Sequence, residues 1–210
     1  MQTEQRSKEW FDQRAGRFTA SRISELLGVK GLGLTGEGYV FEMAIEMAVG
    51  RDEEETFESF DMRRGIELEP LAFDMFKERM DLDFIEVKKA EFFPFKDYAG
   101  ASPDGLVGDD EILEIKCPRP KKFFNLVAKG VKAIDSGYID QMQMQMLCTK
   151  SKGCHFFNYI IYNGKPMGHS IYVERDEKRI GLIESRLLEA VDLRDHYVRS
   201  ILENLEYNGM

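Results

Sequence analysis

Apolar positions recur along the chain with two different periods, and the switches between them mark out its elements. Ser7 to Arg14, carrying Trp10 and Phe11, reads as a helix. A second helix begins near Thr19 or Ser21, either a good N-cap, and stops at Gly28. Gly31 to Gly38 reads as a flexible glycine-rich loop; it has no lysine or GxGxxG order that would cradle a nucleotide. Tyr39 to Val49 is a helix ending at Gly50. From Glu67 to Met80, the residues Leu68, Leu71, Ala72, Met75 and Phe76 share one helical face, with Pro70 tolerated near the first turn.

The period then shortens. Phe84 to Val87 and Ala90 to Phe95 read as strands, followed by Ala101 to Val107 and Ile112 to Lys116, with Gly108-Asp109-Asp110-Glu111 as a hairpin turn between them. Phe123 to Val131 and Tyr138 to Cys148 are predicted helices. Within the latter, Gln141-Met142-Gln143-Met144-Gln145-Met146 alternates with period two. Glutamine and methionine are nevertheless good helix formers, and Tyr138, Met142 and Met146 repeat at i+4, which favours a helix packed through its methionines. His155 to Tyr162 and Ser170 to Glu174 form strands around Asn163-Gly164, and an amphipathic helix from about Glu177 to Leu205 closes the chain. This order predicts a mixed α/β core with one central sheet.

A chain of 210 residues suits one domain, here 1–210, with a closing hairpin and helix over about 155–206. No apolar run approaches the roughly 18 residues that a membrane helix needs, and Gln2 to Glu9 is polar, so neither a membrane span nor a secretory leader is expected. Cys117, Cys148 and Cys154 lack CxxC spacing. They suggest neither a disulfide framework nor a zinc ribbon, and a reducing cytoplasm is the expected compartment. His155, His169 and His196 are too scattered to suggest a histidine base.

The net charge of −9 argues against a protein that coats nucleic acid with an overall basic surface. Its distribution is uneven. Between Leu113 and Lys132, Lys116, Arg119, Lys121, Lys122, Lys129 and Lys132 stand against Glu114 alone. Between Gln13 and Lys30, Arg14, Arg17, Arg22 and Lys30 stand against Glu25. Acid gathers in Asp52, Glu53, Glu54, Glu55, Glu58 and Asp61. A basic inner wall could thus meet a polyanion while the outside stays acidic, although the same charges also describe ordinary solvated faces.

The chemistry concentrates in Ala101-Ser102-Pro103-Asp104-Gly105 and Leu113-Glu114-Ile115-Lys116-Cys117-Pro118. Residues two apart in a strand share a face, so Glu114 and Lys116 point together while Leu113 and Ile115 turn to apolar surroundings. The hairpin folds Asp104 back toward Glu114. Two carboxylates and an ammonium then converge, as phosphodiester cleavage requires: carboxylate oxygens suit Mg²⁺, and a lysine can orient or deprotonate a water. On spacing alone the same residues could be a surface ion pair on a two-stranded ribbon. Pro103, the interleaved apolar residues and the basic stretch that follows favour a site.

Pro103-Asp104 with Glu114-Ile115-Lys116 resembles the PD-(D/E)xK nucleases, whose core is a central mixed sheet flanked by helices. More narrowly, four ordered segments resemble the lambda-exonuclease (YqaJ viral recombinase) branch: Trp10 to Ser21, Arg64-Gly65 with Glu67 to Ala72, Ser102 to Leu106 with Leu113 to Pro118, and Tyr138 to Gln143. The resemblance covers residues 7 to 160. It implies that Asp104, Glu114 and the backbone carbonyl of Ile115 bind one or two Mg²⁺ ions, for which Mn²⁺ could substitute. Lys116 would position the nucleophilic water, with Glu69 and Gln141 beside it and Gln143 a further neighbour.

The resemblance also implies that Arg14, Thr19, Ser21 and Ser102 hold a terminal 5′-phosphate, with a helix N-terminus at Ser21 adding its dipole. The blander readings are that Thr19 and Ser21 are helix caps, Glu69 and Gln141 solvated residues, and Trp10 packed core. The function implied is a Mg²⁺-dependent 5′→3′ exonuclease acting on double-stranded DNA ends in recombination. A homotrimeric ring and a single-strand annealing partner are implied with it, in the cytoplasm of a bacterium or phage-infected host. An endonuclease or junction resolvase on the same core is the alternative, and a non-catalytic DNA-binding protein a further one.

Overall fold

The computed structural model describes residues 11–51 and 59–206. The first half of the expected Ser7 to Arg14 helix, Trp10 included, and the acidic run from Asp52 to Glu58 lie outside them; Phe11 and Asp12 are helical and the chain turns over 13–16. The strands are β1 (Phe18–Thr19), β2 (Val87–Lys89), β3 (Phe93–Phe95), β4 (Ala99–Ala101), β5 (Gly105–Val107), β6 (Glu111–Lys116), β7 (Gly153–Tyr162) and β8 (Lys165–Glu174). The helices are α1 (Ile23–Leu26), α2 (Gly33–Val49), α3 (Phe60–Asp81), α4 (Pro120–Lys129), α5 (Ser136–Thr149) and α6 (Glu177–Asn204), with 3₁₀ turns at Ala20–Arg22 and Gly130–Ala133.

The mixed α/β core is present, and a second sheet joins the expected central one. Five strands run in the order β2-β5-β6-β7-β8, and three more in the order β1-β4-β3. The expected Ala101 to Val107 strand is divided between the two sheets. Pro103 has no N–H to offer a ladder, so the chain leaves β4 and re-enters pairing at Gly105. β6 lies third in the larger sheet, antiparallel to β5 and parallel to β7.

Alternation along β6 decides which layer each residue joins. Leu113 and Ile115 pack with Phe73 and Phe76 of α3. Ile112 packs with Met142 and Met146 of α5, on the face that Glu114 shares. The methionine-rich segment is a helix, with Met142, Met144 and Met146 all fully buried. A third cluster joins the small sheet to α2 and α6 through Phe18, Ile23, Tyr39, Ile183 and Leu187.

Three other expectations are corrected. The Gly31 to Gly38 loop is mostly helix, because α2 starts at Gly33. Gly36 is glycine for packing: a Cβ there would sit 2.9 Å from the Glu25 carbonyl oxygen. Helix α3 begins at Phe60, where the Ser59 hydroxyl accepts from the Met62 amide at 3.2 Å, so Pro70 lies inside the helix and leaves the Ile66 carbonyl without its helical donor. The Phe84 to Val87 strand starts only at Val87. Phe84, at φ 59°, closes the end of α3 by donating to the Asp81 carbonyl at 3.1 Å.

Candidate active site

The β5–β6 hairpin builds the centre. Its register pairs Gly105 with Leu113, and the Asp104 amide donates to the Leu113 carbonyl at 2.9 Å, so the next pair in the ladder sets Asp104 against Glu114. Asp104 Oδ2 then accepts from the Ile115 amide at 2.6 Å. Glu114 is 2% exposed and is gripped from three sides. Its Oε1 accepts from Lys116 Nζ and from Gln141 Nε2 (2.7 Å), and its Oε2 from Gln145 Nε2 (2.6 Å). Lys116 also lies 5.0 Å from the centre of the Tyr138 ring.

Electrostatics mark the cluster as short of positive charge. Burial pushes the Asp104 carboxyl well above the usual carboxylate range, and the Glu114 and Glu69 charges push it further. Burial likewise raises Glu69, with Glu114 adding to it. Burial disfavours the Lys116 ammonium, but Glu114 and Asp104 outweigh that and hold the proton on Nζ. Among the described residues no three His, Cys, Asp or Glu side chains converge closely enough to hold a metal by themselves. The donor set still fits Mg²⁺, which takes one or two carboxylates and fills its shell with water and phosphate oxygens. Cys117 lines the same cleft, but burial pushes its thiol up to about 11, which argues against a thiolate nucleophile.

Apart from Gln143, the predicted site residues line one cleft of about 1440 Å³: Arg14, Thr19, Ser21, Glu69, Ser102, Asp104, Glu114, Ile115, Lys116 and Gln141. Arg119, Lys121 and Lys122 line it too, which places part of the basic stretch on its wall. Arg14 donates to the Ser102 hydroxyl and lies 4.8 Å from the centre of the Phe92 ring; burial pulls its guanidinium down to about 10. The Thr19 and Ser21 hydroxyls are 3.3 Å apart, and Thr19 makes no side-chain cap. Ser21 sits inside a 3₁₀ turn that leads into a four-residue helix, so no sizeable dipole stands behind it. Arg22 is absent from the cleft. It is paired with Glu25 and Glu42 and stacked over Tyr39.

Two residues depart from expectation. Gln143 points away from the centre, donating to the Glu174 carbonyl (2.8 Å) and accepting from the Asp176 amide (2.8 Å). Gln145 takes the place beside Gln141. The helical period was the signal for it, since positions i and i+4 share a face where i and i+2 do not. Arg64 was also missed as a contact; it donates to the Cys117 carbonyl and, at 2.7 Å, to that of Pro118, fastening the end of β6 to α3.

A mixed sheet flanked by helices, with two carboxylates and a lysine converging on its central hairpin, defines a nuclease of the PD-(D/E)xK type. Residues 9–152 match the YqaJ-like viral recombinase domain, and the chain belongs to that family. It is similar to the crystal structure of an alkaline exonuclease (LHK-Exo) from Laribacter hongkongensis, with 29% identity and a TM-score of 0.81 over 94% of this chain and 97% of that one. The structure of LHK-Exo in complex with dAMP gives the same values. A phage related exonuclease from Haemophilus somnus 129PT shares the fold, with 19% identity and a TM-score of 0.70 over 88% of this chain and 96% of that one. No match was found among curated proteins. The chain is therefore an enzyme of the nuclease class.

Proposed function

We propose that this enzyme is a Mg²⁺-dependent 5′→3′ exonuclease that degrades one strand of double-stranded DNA from its end, leaving 3′ overhangs for recombination. One observation carries this reading: the carboxylate–lysine centre and the Arg14–Ser102 pair open into a single cleft, two residues apart along the chain at Ser102 and Asp104. An arginine with three hydroxyls in the same cleft suits a phosphate dianion at a DNA end.

In this reading Asp104, Glu114 and the Ile115 carbonyl hold the ion, with Glu69 beside them. A bound Mg²⁺ supplies an acidified water and neutralises charge on the scissile phosphate. Lys116, carrying its proton on Nζ, orients the attacking water, and Gln141 keeps Glu114 in place. Arg14, Thr19, Ser21 and Ser102 fix the terminal phosphate, so that the bond presented to the centre is the first from the 5′ end. Arg119, Lys121 and Lys122 steer the duplex into an otherwise acidic protein. A homotrimeric ring of one domain per chain, a single-strand annealing partner and a cytoplasmic setting complete the proposal.

The test is digestion of linear duplexes bearing 5′-phosphate or 5′-hydroxyl ends, alongside closed circles, in Mg²⁺ and in EDTA. Degradation of linear DNA only, faster from phosphorylated ends and abolished by EDTA, is expected. Nicking of closed circles would overturn the reading in favour of an endonuclease.

A further inference from the structure

We propose that Gln145 is a positioning residue for the metal-binding carboxylate. Its amide N–H locks Glu114, and its side-chain oxygen accepts from a water in the shell of the bound ion. The proposal rests on the metal-dependent reading above.

Gln145 is 1% exposed, one helical turn beyond Gln141 on α5. The two amides take different oxygens of Glu114, Gln141 at Oε1 and Gln145 at Oε2, so the carboxylate is fixed in rotation as well as in place. The orientation of the Gln145 amide follows from this. Turned over, it would set a carbonyl oxygen against a carboxylate oxygen with no proton between them.

The other end of the same amide is then left over. Gln145 Oε1 is buried and has no hydrogen-bond partner among the described residues, although the side chain lines the cleft with Asp104 and Glu114. A buried acceptor without a donor is costly and calls for one. The donor that fits a cleft of this chemistry is a water O–H, and Mg²⁺ retains several waters when held by one or two carboxylates. Gln145 would thus orient a protein ligand with one atom and a water with another.

The test is calorimetric titration of the full-length protein with Mg²⁺ alone, together with melting in EDTA and steady-state cleavage of linear duplex. In Gln145→Met, the Kd for Mg²⁺ should weaken about tenfold to a hundredfold. kcat should fall while KM for DNA holds, and the metal-free melting temperature should stay near that of the wild type. Gln145→Asn, one methylene shorter, should weaken Mg²⁺ binding in the same way and serves if the methionine variant does not fold. Gln143→Met, on the opposite side of the helix, should lower the melting temperature and leave the Kd unchanged. A folded Gln145 variant with wild-type Kd and kcat overturns this inference alone. A wild type that binds no Mg²⁺ overturns the metal-dependent reading with it.

Discussion

Arg14 donates to the hydroxyl of Ser102, 88 residues away in sequence and two residues before Asp104. The contact ties the N-terminal segment to the chain that enters the β5–β6 hairpin. In the proposed enzyme it also ties recognition of a DNA end to the carboxylate that acts on it. Replacing Arg14 by alanine removes charge-assisted bonds worth about 1.5–3 kcal/mol. Cleavage from 5′-phosphate ends should therefore fall about tenfold to a hundredfold, while cleavage from 5′-hydroxyl ends changes little. Arg14→Lys should recover only part of the difference, having lost the planar fork. An equal loss on both ends, measured by initial rates, would count against a phosphate pocket.

The platform under Arg14 depends on a glycine. A Cβ at Gly100 would lie 2.2 Å from Phe92 Cζ, so Gly100→Ala must push aside the ring over which the guanidinium sits. A stability loss of about 1–3 kcal/mol from overpacking is expected, along with a weaker preference for phosphorylated ends. Adding Phe92→Leu should return most of the stability and none of the preference. Thermal melting and the ratio of rates on the two ends separate the effects.

Charge at the centre should act on stability in opposite directions at neighbouring positions. Asp104→Asn keeps an acceptor for the Ile115 amide and removes a desolvated charge facing Glu114 and Glu69. In EDTA it should melt higher than wild type, by about 2–4 °C for each kcal/mol relieved, and in Mg²⁺ it should be inactive. Lys116→Met removes the ammonium from a nearly fully buried Glu114 and should destabilise the metal-free protein by about 3–5 kcal/mol, with loss of cleavage. Unchanged melting in both variants would contradict the charge balance described here.

Far from the centre, burial works to raise the Glu111 carboxyl, but hydrogen bonds from His155 and Tyr172 outweigh it and its pKa is lowered. A folded-state pKa below the unfolded value means the folded state binds fewer protons in that window. The stabilisation is present above the ordinary carboxylate range and is lost as pH falls through the lowered value. Glu111→Gln should therefore melt below wild type at pH 7, and the gap should close on acidification. A gap independent of pH would assign the effect to packing.

How much of this was legible depended on how local the signal was. Asp104, Glu114 and Lys116 were readable because a two-stranded hairpin carries its own register, and the helix over Tyr138 to Cys148 was readable from propensity and i+4 spacing. Gln145 was not singled out because the family resemblance ends at Gln143, two positions before it, although helical spacing turns Gln143 away from the centre. The small sheet was hidden for a different reason. Its β1 strand has two residues and pairs with β4 some eighty positions later, so no local pattern announces it. The helical start of α2 was masked by its glycines, of which Gly36 serves close packing against Glu25 and not flexibility.

The place of β6 in the middle of the larger sheet has a kinetic consequence. Its backbone is paired on both sides, and the Ile115 amide is bound by a carboxylate of the centre itself. Local opening draws on the least protected parts of a fold, so this strand should release its amide protons to solvent only when the whole sheet comes apart. In the proposed enzyme, any breathing that admits or releases DNA then belongs to the cleft walls, while the atoms assigned to act on the phosphate keep time with global unfolding.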